Sequence, residues 1–147
     1  MGPAVAYNAI LDAAVEQITV CDIDQKQLEI CRNKLKSMPG AFKVNYRRLD
    51  LKNRADTIKG ITQHDVGIAA LPRGASIIAL PMALEVGMPI IDLTRVSNET
   101  VGGWANDYSG SDGFVILGCG LEPGLTEIMA RHLADQLDRT DELHIQC

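Results

Sequence analysis

Asp22 closes the run Ile18-Thr19-Val20-Cys21-Asp22, where β-branched residues give way to an acid and then to the polar, helix-prone stretch Asp24-Gln25-Lys26. In open α/β sheets nucleotides bind outside the carboxyl ends of the strands, and an acid at the tip of the second strand accepts a hydrogen bond from an adenine ribose 2′-hydroxyl. Asp22 is therefore the leading candidate for chemistry, against the plainer alternative of an acid that solvates a turn or caps the next helix. Gly2 lies twenty residues before it. That is close to the distance between the last glycine of a Gly-x-Gly-x-x-Gly fingerprint and the ribose acid. Further candidates sit where strands end. Asp50 is an adenine contact or a helix cap. Leu71 and Pro72 line a dinucleotide or form a plain turn. Asp92 and Thr94 face the nicotinamide side or solvate a turn. His64, His132 and His144 show no ligand spacing, so no metal site is expected, and no Ser-His-Asp set emerges to name a catalytic residue.

The elements that must position these residues follow from periodicity and punctuation. Pro3–Ala14 reads as a helix with Val5, Ala6, Ala9, Ile10 and Ala13 on one small apolar face. A strand follows at Gln17–Cys21, then a helix from about Gln25 to Met38 carrying Leu28, Cys31 and Leu35. Asp24 caps that helix and Pro39-Gly40 stops it. Phe42–Leu49 is a strand of sheet-edge character, and Ala55–Ile61 a short helix capped by Asp50 or Asn53. Val66–Leu71 is a buried strand. Ala75–Val86 reads as helical, with Pro81 either kinking it or starting a new helix. Pro89–Thr94 and Phe114–Leu117 are strands, and the glycine-rich Ser97–Gly113 between them is a loop or weak helix. Leu125–Leu137 is a helix, and Glu142–Cys147 begins a last strand. Strands alternating with helices at this spacing predict βαβ units on a mostly parallel, doubly wound α/β sheet of Rossmann type.

The whole chain has 147 residues, 46% of them apolar, and a net charge of −5. That is the size of one domain with a sizeable core, and its acidity argues against a nucleic-acid partner. No apolar run is long enough for a membrane span, and no secretory signal is legible at the start. Cys21, Cys31, Cys119 and Cys147 are widely spaced without a Cys-x-x-Cys pair. A reducing, cytoplasmic setting is expected from that pattern. A dinucleotide fold ordinarily opens with a strand and the first fingerprint glycines. Here the first helix follows Met1-Gly2 directly, so the expectation is a sheet lacking its first, normally central, strand.

Gly120-Leu121-Glu122-Pro123-Gly124-Leu125-Thr126, followed by a helix through Ala130-Arg131-His132-Leu133, resembles the saccharopine dehydrogenase family and its lysine 6-dehydrogenase-like relatives. Ala70-Leu71-Pro72 and Glu85–Leu93 resemble the family's fourth and fifth strands and the helix between them. The resemblance implies that residues 1–121 are an NAD(P)-binding domain truncated at its N-terminus, that 122–147 begin a substrate domain, and that Glu122, the one acid inside the family-like segment, faces substrate or serves helix entry. It implies a nicotinamide-dependent oxidoreductase acting at a C–N bond of an amino acid such as lysine or saccharopine, with the cofactor carrying the hydride. The cofactor reading is NAD, because Asp22 repels a 2′-phosphate. NADP is the alternative if Arg47 or Arg48 reaches that strand tip. Without a substrate domain the chain is expected to be inert by itself, and a homodimer is expected. A rival reading is a stand-alone nucleotide-sensing module such as the regulatory domains of potassium channels. It has this length and alternation but no need for Gly120–Thr126 and a strand beyond. A third reading is a fragment whose open sheet centre pairs with a second copy.

Overall fold

A computed structural model describes residues 2–145, which form two compact units divided after Thr57. The first contains α1 (Gly2–Leu11), β1 (Ile18–Asp22), α2 (Gln25–Leu35) and β2 (Val44–Arg48), the last entered by a short 3-10 turn at Ala41–Lys43. The helix α3 (Arg54–Ile61) carries the chain into the second unit, made of β3 (Gly67–Ala69), α4 (Arg73–Glu85), β4 (Ile90–Asp92), α5 (Asn98–Asp107), β5 (Val115–Ile116) and α6 (Leu125–Ala134). All three described strand pairings are parallel. Each successive strand is reached through a helix, as parallel pairing requires. The α/β class expected from the alternation is the class observed. Among the described residues, β1 pairs with β2 alone and β3–β4–β5 form a separate ladder.

In the first unit, Ala6 and Ile10 lie four apart on α1, and Cys31 and Leu35 four apart on α2. These four pack with Val44 of β2 as its buried core. Spacings of three and four put Leu28, Cys31 and Leu35 on one face of α2, and all three are buried. Asp24 caps this helix as expected, its Oδ1 accepting the Lys26 N–H at 2.8 Å. Gly40 follows in the left-handed region at φ 85°, where a side chain would also run into Ile10. Asn53, not Asp50, caps α3: its Oδ1 accepts the Asp56 N–H at 3.2 Å.

In the second unit, Ala69, Leu80, Ala83, Met88 and Ile90 form the core between α4 and the sheet. Pro81 sits inside one continuous helix, so no new helix starts there. It leaves the Ile77 carbonyl without its usual donor. The stretch read as loop or weak helix contains the regular helix α5, whose Ser97 cap accepts the Thr100 N–H at 3.2 Å. Trp104 anchors it against the core. Packing and capping thus outweigh Gly102 and Gly103, each costing about 1 kcal/mol relative to alanine. A Cβ at either meets nothing within 4 Å. Replacing both by alanine is expected to raise the melting temperature by a few degrees, checked by calorimetric unfolding. The expected last strand does not form over residues 142–145, which have no regular structure. Residues 146 and 147 lie outside the described residues. No described helix is long and apolar enough to cross a membrane.

Candidate functional site

Each unit presents the carboxyl edge of its own parallel ladder, where Asp22 closes β1 and Asp92 closes β4, while Gly2 opens α1 and Glu122 lies in the segment before α6. In the first unit β1 ends at Asp22, which is paired in register with Arg48 at the end of β2. The ladder closes with the Leu49 N–H donating to the Asp22 carbonyl at 3.0 Å. Asp22 is half-buried, and its Oδ1 accepts the Asp24 N–H at 2.9 Å. That bond folds the Ile23-Asp24 turn over the strand tip and delivers Asp24 to its capping position. Among the described residues, Asp22 Oδ2 accepts no hydrogen bond. The turn-forming and ligand-binding alternatives for Asp22 are thus not exclusive, since each uses a different oxygen.

Alternation along β2 separates its two arginines, because consecutive strand residues point to opposite faces. Arg47 shares a face with Cys21 and donates to Asp56 in an ion pair. Burial pushes the Cys21 thiol up, Arg47 opposes this, and Asp56 adds to it. Arg48 shares the face of Asp22, and its Nε–H donates to the Ile23 carbonyl at 3.1 Å. Asp50 is exposed two residues beyond β2, its Oδ1 accepting the Lys52 N–H at 2.9 Å. It forms a turn and leaves the capping of α3 to Asn53. Gly2 opens α1, and a Cβ built on it would meet nothing within 4 Å. Protein packing therefore does not demand glycine there. A cavity of about 490 Å³ lined by Arg32, Lys36 and Tyr46 opens near the amino end of β2, the end opposite Asp22.

In the second unit Leu71 is half-buried against the core, and exposed Pro72 caps α4 through its carbonyl, which accepts the Ala75 and Ser76 N–H groups at 2.8 and 3.1 Å. Asp92, at the end of β4, has no solvent exposure. Its Oδ1 accepts from Ser76 Oγ at 3.0 Å and its Oδ2 from Thr94 Oγ1 at 2.7 Å. Ser76 was not singled out in the sequence. A serine in the first turn of a helix looks like any N-terminal polar residue, and its partner lies sixteen positions away. The Asp92 and Thr94 carbonyls accept the Cys119 and Gly118 N–H groups at 3.0 and 2.8 Å, which fixes the start of the Gly118–Gly124 segment.

That segment is packed backbone on backbone. A Cβ at Gly120 would meet the Leu93 carbonyl oxygen at 2.4 Å, and one at Gly124 the Gly120 oxygen at 2.3 Å. Thr126 Oγ1, in the first turn of α6, lies within hydrogen-bond reach of Glu122 Oε2, Glu127 Oε2 and the Leu121 carbonyl, which share its one proton. Glu127 Oε2 accepts the Gly124 N–H at 2.6 Å, a half capping box, since Gly124 has no side chain to complete it. The Gly124 N–H, then the Thr126 hydroxyl, hold the Glu127 carboxyl below its ordinary value. A carboxylate whose folded value is depressed stabilises the fold above its unfolded value and loses that contribution as pH falls through the folded one. The melting-temperature deficit of Glu127→Gln is therefore expected to be full at neutral pH and to close as pH falls below the ordinary carboxylate range, seen in unfolding curves across acid pH.

No family model matches the chain, and no curated protein matches its sequence. Among solved structures, the chain is similar to apo histidine-tagged saccharopine dehydrogenase (L-Glu forming) from Saccharomyces cerevisiae, with a TM-score of 0.72 at 14% identity. The similarity covers 92% of this chain and 28% of that one, so the chain spans little more than a quarter of the yeast enzyme's length. The fold is saccharopine dehydrogenase-like.

Proposed function

We propose that this chain is the nicotinamide-dinucleotide-binding portion of an amino-acid oxidoreductase acting at a C–N bond, of saccharopine or lysine type. The observation that carries the reading is Asp22. It is an acid at the carboxyl tip of a parallel strand, with one oxygen committed to its own turn and the other accepting nothing among the described residues. That is the group a ribose hydroxyl needs as acceptor. NAD is the cofactor on this reading, with Asp50 toward the adenine and Gly2 beside the phosphates. The open space at Gly2 suits close approach of a pyrophosphate to backbone N–H groups at a helix start. Residues 1–121 are assigned to nucleotide binding and 122–147 to the beginning of a substrate domain, with Glu122 serving the junction. On this reading the protein is cytoplasmic and forms a homodimer.

No residue here is assigned a bond-making role, because the cofactor supplies the hydride chemistry when bound. The chain's own contribution is to hold and orient it. Calorimetric titration tests the reading. NAD is expected to bind saturably, and Asp22→Ala to weaken it about tenfold, the loss of one charge-assisted hydrogen bond. Equal affinity in the variant would remove Asp22 from the site.

A further inference from the structure

We propose that Arg48 sets how strongly the ribose subsite refuses a 2′-phosphate. The inference rests on the reading of Asp22 as the ribose acid and adds a second specificity residue to that subsite. Three observations place Arg48 there. It is the register partner of Asp22 across the β1–β2 ladder, so the two side chains leave the same face at the strand tips. Its Nε–H donates to the carbonyl of Ile23, the residue directly after Asp22, which brings the guanidinium onto the turn that Asp22 itself holds. Arg48 is exposed, and Nε–H is its one engaged donor among the described residues. Arg47, the other cation on β2, is on the opposite face and committed to Asp56.

The chemistry follows from charge. A carboxylate alone at this tip accepts from a ribose hydroxyl and repels a phosphate ester at the same carbon. A guanidinium beside it leaves hydroxyl binding almost unchanged and offsets the repulsion of the phosphate, using its remaining N–H groups in charge-assisted bonds. Asp22 then fixes the direction of the preference and Arg48 limits its size. The adenosine end of either dinucleotide carries all of this chemistry, so adenosine 5′-monophosphate and adenosine 2′,5′-bisphosphate are sufficient probes.

Both nucleotides are titrated into the isotopically labelled full chain, with affinities read from the amide resonances of residues 22–24. Wild type is expected to favour the monophosphate by about fivefold or less, a modest preference for exposed, screened charges. Arg48→Gln keeps a donor for the Ile23 carbonyl and removes the cation. It is expected to weaken the bisphosphate by a further factor of about five while leaving the monophosphate within about twofold. Arg48→Lys keeps the cation and is expected to hold the wild-type ratio. Asp22→Asn is expected to reverse the preference, and adding Arg48→Gln to it to abolish that reversal. An unchanged ratio in Arg48→Gln, or the same ratio in the Gln and Lys variants, overturns the proposal while leaving Asp22 as the ribose acid. If the monophosphate moves none of these resonances in wild type, the ribose reading itself fails and the inference with it.

Discussion

Gly124→Ala is expected to destabilise the second unit by more than about 4 kcal/mol, lowering the melting temperature by ten degrees or more. Two independent costs combine. Gly124 has φ 138° and ψ −88°, a conformation essentially closed to residues with a Cβ. The added carbon would also lie 2.3 Å from the Gly120 oxygen, 2.7 Å from the Gly118 oxygen and 2.8 Å from the Gly120 nitrogen. All three are backbone atoms, held by the Gly118 N–H to the Thr94 carbonyl and the Gly120 N–H to the Pro123 carbonyl, so none can swing aside like the end of a side chain. The control is Gly74→Ala on α4, where a Cβ meets nothing within 4 Å. There the substitution is expected to stabilise by about 0.5–1 kcal/mol. Thermal unfolding of the two variants beside wild type makes the comparison, and similar stability for both would show that the Gly118–Gly124 segment is not packed as described.

Asp92→Ala is expected to cost about 3 kcal/mol, and Asp92→Asn about 1 kcal/mol, measured by denaturant unfolding. Asp92 and Ser76 are both without solvent exposure, so the Ser76 hydroxyl cannot turn to water when its acceptor is lost. Thr94 Oγ1 loses its partner in the same step. Each abandoned polar group carries its own desolvation cost, about 1–3 kcal/mol. Asparagine restores the shape and one acceptor, and rotation of the two hydroxyls accommodates its amide. Ser76→Ala is the complementary test. Because it shares a partner with Asp92, the double variant Asp92→Ala/Ser76→Ala is expected to lose less than the sum of the singles.

Much of this fold was legible because the local signals agreed with one another. The acid after a β-branched run and the Asp24 cap point to the same strand–turn–helix, which forms with the helix ending at Leu35, three residues before the expected Met38. The order of strands and helices also followed from periodicity, because parallel pairing needs a helix between partners. The misreadings have identifiable physical causes. Gly102 and Gly103 argue against a helix by intrinsic preference, yet Ser97 caps it and Trp104 packs it down, contributions a local propensity does not contain. Residues 142–145 alternate like a strand, but a strand exists only with a ladder partner, and the described residues offer them none.

The candidate site was legible unevenly for the same reason. Asp22 announces itself because an acid ending an apolar run is a local pattern. Arg47 and Arg48 were both legible as cations that could reach that strand tip, but which of them does so depends on cross-strand register and on the face each leaves. Asp92 was visible as a strand-ending acid, while its hold on Ser76 required the packing of α4 on the sheet. Glu122 drew notice by charge, and it lies within hydrogen-bond reach of Thr126 in the first turn of α6.

The carboxyl edge of the β1–β2 ladder is proposed to hold the adenosine end of a nicotinamide dinucleotide, with Asp22 on the ribose. Titration of NAD into the labelled full chain, followed residue by residue in amide spectra, tests it most directly. Saturable shifts are predicted at residues 2–4 and 22–24, with those at 22–24 lost in Asp22→Ala while the spectrum otherwise stays folded. Saturation with no shift at residues 22–24, or shifts there that survive Asp22→Ala undiminished, would contradict it.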